Sequence, residues 1–476
     1  MRLALIGRIA REDWREAARS RVALLAGALL AILTLSTVVL GIDARNAMDT
    51  ARARYQAQSD TAFDAQPDRH PHRMVHYGQF VFRPLPPLAF FDPGVDPFTG
   101  STVFLEGHRQ NSANFAQARQ SSLVSRLGPL SPAFVLQTLA PLLIIFLGFG
   151  AITRERERGT LRLLLAQGLT GGELIAGKML GHLVLTGLVG MPALIALAVA
   201  VAAGWAPLLP AALMALAYGA YLAIWSVASV LASAFMGHSR NALTTLVCAW
   251  MVLVVLLPRA LPEVAAARIE TPTRIETDVA IARELKALGD SHDPDDPHFA
   301  AFKAETLRRY GVATTDALPV QWAGLVGMEG ERLTSGLFDR HFMDNAAREA
   351  RQNGLVRSLG VVSPLVALRQ SSMSLAGTDL ESHQDFLIQV ERFRYAFVQR
   401  LNLMQAELIP GVNAGEDPRI SADHWRAVPR FAYRPPDVLR LGANSVALNF
   451  AVLALWLAAL TALSAVAARR LERIAR

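Results

Sequence analysis

Six long apolar runs divide the chain, at Val22 to Leu40, Ala133 to Ile152, Met179 to Ala203, Ala211 to Ala234, Ala242 to Leu257 and Ser445 to Ala468. About 20 apolar residues carry a helix across a hydrocarbon core, where every backbone N–H and C=O must find its partner inside the segment. The pattern predicts an all-α membrane protein with six transmembrane helices, of which the fifth is the shortest. Val22 to Leu40 follows six arginines but is long for a signal peptide and lacks small residues ahead of a cut near Ala44, so it reads as a retained signal anchor. Ahead of it, Leu3, Leu5, Ile6, Ile9 and Trp14 alternate with Arg8, Arg11 and Arg15, which predicts an amphipathic interfacial helix over residues 1–21.

Two hydrophilic segments, 41–132 and 258–442, separate the runs. The second is helical in pattern. Phe386, Val390, Phe393, Phe397, Leu401, Met404 and Leu408 recur at helical spacing, with Thr378 and Glu381 as a capping box and Pro410-Gly411 as the stop. Thr273 with Glu276 opens another helix carrying Ile275, Val279 and Leu285 on one face, and the Asp293 to Pro297 run ends it. The first segment begins as a polar continuation of the first run. It then turns rich in proline and aromatics from Pro67 to Phe98, with little periodic apolar face of its own, and is expected to pack onto the second segment. Together they predict a mainly helical extracytoplasmic domain.

Charge decides the orientation. Net charge is +7, but the basic residues are spread along the chain rather than gathered in a nucleic-acid-binding stripe. Basic clusters fall at Arg2 to Arg21, Arg154 to Lys178 and Arg469 to Arg476, while the turn at Gly204 to Pro210 carries none. The positive-inside rule then places both termini (residues 1–21 and 469–476) and the loop 153–178 in the cytoplasm and both hydrophilic segments outside it. The single cysteine, Cys248, lies in an apolar run and offers neither a disulfide framework nor a thiolate site. His70, His72 and His76 raise a metal reading, but no cysteine or carboxylate pair close in sequence completes a site, and none is assigned.

The most informative stretch is Arg154-Glu-Arg-Glu-Arg-Gly-Thr-Leu-Arg-Leu-Leu-Leu-Ala-Gln-Gly168, followed by Glu173 and Gly177-Lys178. A charged run, a Gly-Thr start and three leucines describe a short amphipathic helix that a soluble partner could grip. In these residues the chain resembles the permeases of ABC transporters of the ABC-2 type, in the subgroup with a large domain between the fifth and sixth helices. The resemblance implies a coupling helix docked in a separate cytoplasmic ABC ATPase subunit, with Glu155, Glu157, Arg158, Gly159, Thr160, Leu161 and Leu164 forming the contact. It implies ATP and magnesium on that partner and no cofactor on this chain. It further implies a homodimer or a heterodimer with a paralogous permease, in contact with membrane lipids in a bacterial inner membrane. The match spans about 25 residues. Arg162 stands where the family often has an acid, and Gln167-Gly168 replace a common proline.

Gly172-Glu-Leu-Ile-Ala-Gly-Lys178 has phosphate-loop spacing, yet Met179 replaces the Ser or Thr that would hold magnesium, and the segment leads into a membrane helix. The chain is therefore expected to be no enzyme itself. Ionisable groups are nearly absent from the apolar runs, which argues against a proton relay. His182, near the inner end of the third helix, is expected to cap or snorkel. Gln137, Tyr218, Tyr221, Ser226, Ser229, Asn444 and Asn449 read either as a substrate path or as interhelical hydrogen-bonding groups. Three functions remain open: an exporter subunit, a force transmitter without a channel, and a membrane-anchored outer enzyme. The last lacks a His-Glu-x-x-His or Gly-x-Ser-x-Gly motif.

Overall fold

A computed structural model describes residues 2–114, 130–289, 293, 296–409 and 418–475. It is a mostly helical, multi-pass membrane protein in which six helices are long and apolar enough to cross a bilayer. They are α2 (Arg21–Asp64), α4 (Pro132–Glu157), α6 (Gly171–Ala202), α7 (Leu208–Phe235), α8 (Ser239–Arg268) and α14 (Ala443–Ala475). The six apolar runs fall on these six helices, and each helix is longer than the run that announced it, because hydrophobicity marks only the lipid-facing stretch while backbone hydrogen bonding continues into polar sequence. The excess is greatest in α2, whose 44 residues extend far beyond Leu40. The fifth span is not short: α8 continues through a π-helical turn at Met251–Leu256 to Arg268. α6 begins at Gly171 rather than Met179, which shortens the expected loop to residues 153–170, the last turn of α4 included.

α4 and α7 form the middle of the bundle, and Met214, Ala217, Tyr218, Tyr221, Ile224 and Trp225 of α7 are buried in its core. α2, α8 and α14 lie at the periphery and leave Leu25, Leu29, Ile32, Val252, Leu455 and Val466 exposed, as expected of helices whose outer faces meet lipid. Cys248 is among the exposed residues. The N-terminal helix α1 (Leu3–Arg19) buries Ile6 and Ala10 while Leu3 and Trp14 stay exposed. It lies across the start of α6, where two glycines one turn apart admit it. A Cβ on Gly177 would sit 2.6 Å from Ile9 Cβ, and one on Gly181 3.1 Å from the Ala10 backbone, the small-residue spacing that lets helix backbones approach in membranes.

The hydrophilic domain stands at the opposite end of the bundle from α1. It combines the far half of α2, the short helix α3 (Pro71–Tyr77), a hairpin of β1 (Gln79–Phe82) and β2 (Thr102–Leu105), and five helices: α9 (Arg274–Leu288), α10 (Pro297–Tyr310), α11 (Trp322–Leu359), α12 (Pro364–Ala376) and α13 (Leu380–Leu408). The antiparallel hairpin, which pairs Phe80 with Phe104 and Val81 with Val103, is a small addition to the all-α expectation, which the mostly helical fold otherwise matches. Its alternation is too short to stand out in sequence, and it is fixed by burial of Val81, Val103 and Leu105 against Phe386 and Val390 of α13. A second cluster joins Phe63 of α2 and Met74 and Val75 of α3 to Phe397, Leu401 and Met404. The two hydrophilic segments thus share a core, with the α13 stripe at its centre, although Leu408 is exposed.

Three local expectations are revised. The cap of α13 is Asp379, which accepts from Ser382 N at 3.0 Å, while Thr378 Oγ1 donates to the Asp92 carbonyl; Pro410-Gly411 lie outside the described residues. α9 has the Thr273–Glu276 capping box, but Ile275 and Val279 face outward and Ile281 is the buried residue. His182 neither caps nor snorkels. With α6 starting earlier, it lies three turns in, 3% exposed, in space left by Gly148, where a Cβ would approach its Nε2 to 2.2 Å.

Candidate functional site

The loop between the second and third spans lies at the end of the bundle where α1 begins and α14 ends. Its first residues are bolted to α7 and α8. Ser233 Oγ accepts from Ile152 N at 2.8 Å and Thr153 N at 3.0 Å, and Arg156 donates to the carbonyls of Ala234 and Met236. Glu157 accepts from Ser239 N at 2.7 Å and Ser239 Oγ at 2.8 Å, so the carboxylate caps the first turn of α8. Gly159, at φ +79°, reverses the chain into α5 (Thr160–Ala166). A Cβ there would meet nothing within 4 Å, so the glycine serves the left-handed backbone and not a close approach.

Across the loop, Glu155 accepts from Thr160 Oγ1 and faces Lys178 Nζ at 4.0 Å. Lys178 in turn donates to Asp13 of α1 at 2.6 Å. Burial pushes the Asp13 carboxyl up and the Lys178 ammonium pulls it back. Arg2 clamps Glu173 of α6 at 2.8 Å and reaches the Gly168 carbonyl at 2.6 Å. α1, the loop and the start of α6 are therefore held as one unit by charge-assisted hydrogen bonds.

Within that unit the seven loop residues divide. Leu161 is 2% exposed and packs among Ile152, Leu174, Val230, Ala467 and Leu471. Glu155, Glu157 and Thr160 are engaged in anchoring, and Leu164 is half-buried. Arg158 and Gly159 are exposed, together with two neighbours that motif comparison passes over: Arg162, and Leu163 at 59% exposure. Helical phase could have found the leucine, because a residue two positions from buried Leu161 points to the far side of a helix. Gly172 to Lys178 form the first turns of α6, so their amides beyond the opening turn serve the helix rather than a phosphate.

The intramembrane polar residues also separate. Gln137 lies in a π-helical turn of α4 (Val135–Leu139). It donates to Tyr218 Oη at 2.8 Å, and its carbonyl accepts from Tyr221 Oη at 2.7 Å. Tyr218 Oη meets Ser372 Oγ of α12 at 3.0 Å, and Ser372 donates to Asp92. With the Ser372 proton given to Asp92, Tyr218 must donate to Ser372, so the donors run one way from α4 through α7 to a carboxylate in the hydrophilic domain. Burial pushes the Asp92 carboxyl up, against its hydrogen bonds from Ser372 and Gly94 N. Ser229 turns back on the Trp225 carbonyl of its own helix. Ser226 and Asn449 are buried outside this chain of bonds, and Asn444 is exposed.

Among the histidines, His70 accepts from His72 N as the cap of α3. His72 and His76 come together not with His70 but with His108, from the hairpin side of the domain.

Residues 274–434 match a family described as "Domain of unknown function (DUF3526)". The match covers α9 to α13 and the chain just beyond, and none of the six spans. No curated protein matches the chain.

Proposed function

We propose that this chain is the permease subunit of an ATP-driven ABC exporter of the ABC-2 type, set in a bacterial inner membrane with its termini and the 153–170 loop in the cytoplasm and its hydrophilic domain outside. The observation that carries the reading is the loop itself. It is rigidly tied to α1, α6, α7 and α8, yet it presents Arg158, Arg162 and Leu163 outward. A lever meant to pass motion needs both properties, since a loose loop would dissipate the displacement and a fully engaged one could not be grasped. ATP and magnesium would sit on a separate ABC ATPase, and two permeases, identical or paralogous, would pair above two such subunits. Nucleotide binding can bias the bundle only through a difference in affinity between its states.

One feature favours a force-transmitting variant of the same machine. α2 is unbroken for 44 residues, about 66 Å of helix, from the bundle to the core of the hydrophilic domain, and the Gln137–Tyr218–Ser372–Asp92 chain ties α4 and α7 to the same domain. A rotation at the loop end is thereby delivered to the far domain without a channel being required.

The test uses the full-length protein with Cys248→Ser, which removes the native exposed thiol, and Gln167→Cys on the loop. A membrane-impermeant maleimide should label Gln167→Cys only after the cells are opened, and the thiol should be shielded in complexes purified with the ATPase. Labelling in intact cells freed of their outer membrane would overturn the orientation, and failure of any ABC ATPase to co-purify would overturn the partnership.

A further inference from the structure

The hydrophilic domain brings three imidazoles to one point. His72 and His76 are one helical turn apart on α3, and their Nε2 atoms lie 3.1 Å apart. The third ring, His108, lies far from the other two in sequence and reaches them from the turn after β2, so that one ligand atom from each of the three residues lies within 4.8 Å of the others.

The backbone is arranged to bring His108 there. Glu106 and Arg109 pair across a tight turn whose Gly107 N donates to the Val75 carbonyl of α3 at 3.1 Å, and a Cβ on Gly107 would come within 2.2 Å of Val75 Cγ1. His108 takes φ +61° and is the only non-glycine with positive φ among the described residues. A turn position of this kind favours glycine, so a histidine there accepts a backbone cost that its side chain must offset. Below the turn, Glu331 of α11 is fully buried. It accepts from His108 N at 3.0 Å and faces His108 Nδ1 at 3.3 Å. Arg394 donates to Glu331 at 2.6 Å and to the Glu106 carbonyl at 3.1 Å, and Ser335 donates to Glu331 at 2.9 Å.

We infer that His72, His76 and His108 form a binding site for a divalent transition-metal ion of the zinc class, with Glu331 as the carboxylate that orients His108. A carboxylate on Nδ1 fixes the tautomer and leaves Nε2 for the metal, the outer-shell arrangement that ligating histidines regularly have. Nitrogen ligands at about 2.0–2.1 Å on a tetrahedral ion are about 3.3 Å apart, close to the His72–His76 separation of 3.1 Å, so closure requires the wider separations, up to 4.8 Å, to contract to that value. His76 is exposed, which leaves the fourth position open to water or a ligand. The inference stands on the hydrophilic domain alone and does not rest on the exporter reading.

The test is zinc binding by the full-length detergent-solubilised protein, purified through a tag without histidine and stripped with a chelator. Calorimetric titration with zinc alone should show one equivalent per chain. His76→Gln and His108→Gln should each weaken it at least ~100-fold, and His76→Gln, at an exposed position, should leave the metal-free melting temperature near that of the parent. His70→Asn, which keeps an acceptor at the α3 cap, should bind as the parent does. Glu331→Gln should weaken binding roughly 10- to 100-fold, as an orienting group would. Absence of saturable binding at micromolar zinc, or equal binding by the parent, His76→Gln and His108→Gln, would overturn the site.

Discussion

Leu163→Ala separates docking of a partner from folding of the loop. Leu163 is 59% exposed, about 100 Å² of apolar surface, so a partner that covers it gains ~2.5 kcal/mol at ~25 cal/mol per Å². Its loss should weaken the proposed ATPase complex by up to roughly 60-fold. Because the side chain lies outside the protein's own core, the melting temperature should stay within about a degree of the parent. Leu161→Ala is the contrast, two residues away: at 2% exposure its truncation leaves a cavity costing ~2–5 kcal/mol and should lower the melting temperature. The assay pairs thermal unfolding of the protein with titration of the proposed ATPase partner onto it in nanodiscs. If Leu163→Ala binds the ATPase as tightly as the parent, the outward face of α5 is not the contact and the docking argument is wrong.

Gly181→Leu should force α1 off α6, since even a Cβ comes within 3.1 Å of the Ala10 backbone; overpacking of ~1–3 kcal/mol should appear as faster tryptic cleavage within residues 2–19. Asp92→Asn should stabilise the protein at neutral pH. Burial raises the Asp92 carboxyl above its ordinary 3.8, so its stabilising proton is fully bound below that value and lost as pH rises through the raised one. The gain from asparagine should therefore shrink as thermal melts are moved from neutral pH toward about pH 4, and a gain independent of pH would contradict the assignment. Arg394→Met should cost ~3–5 kcal/mol in chemical unfolding of the hydrophilic domain, because it leaves Glu331 and Glu391 buried without their shared cation; a variant as stable as the parent would show that the pair adds little.

The spans are legible in sequence because lipid imposes a long uninterrupted signal that no local preference overrides. The stripe on α13 is legible for a similar reason, as one wide face meets one core. The hairpin is not, because four-residue strands carry too few alternations and are fixed by partners on α13. Nor is the histidine cluster, since proximity of His70 to His72 in sequence suggests the wrong third ring, and His108 joins only when Gly107 docks on Val75. In the loop, the family pattern names residues by type, but burial of Leu161 and exposure of Leu163 follow from how α5 sits on the ends of α4, α6, α7 and α14. Ser233 and Ser239, which hold that loop, carry no motif at all.

The shared core of the hydrophilic domain has a consequence for biogenesis. Phe63, Met74 and Val75 find their apolar partners at Phe397, Leu401 and Met404, and four membrane helices are synthesised in between. At ~5–20 residues per second the early segment waits about 20–60 s before α13 emerges. Throughout that interval its aromatic surface is uncovered, so a newly made chain is at its most aggregation-prone while it is still attached to the ribosome.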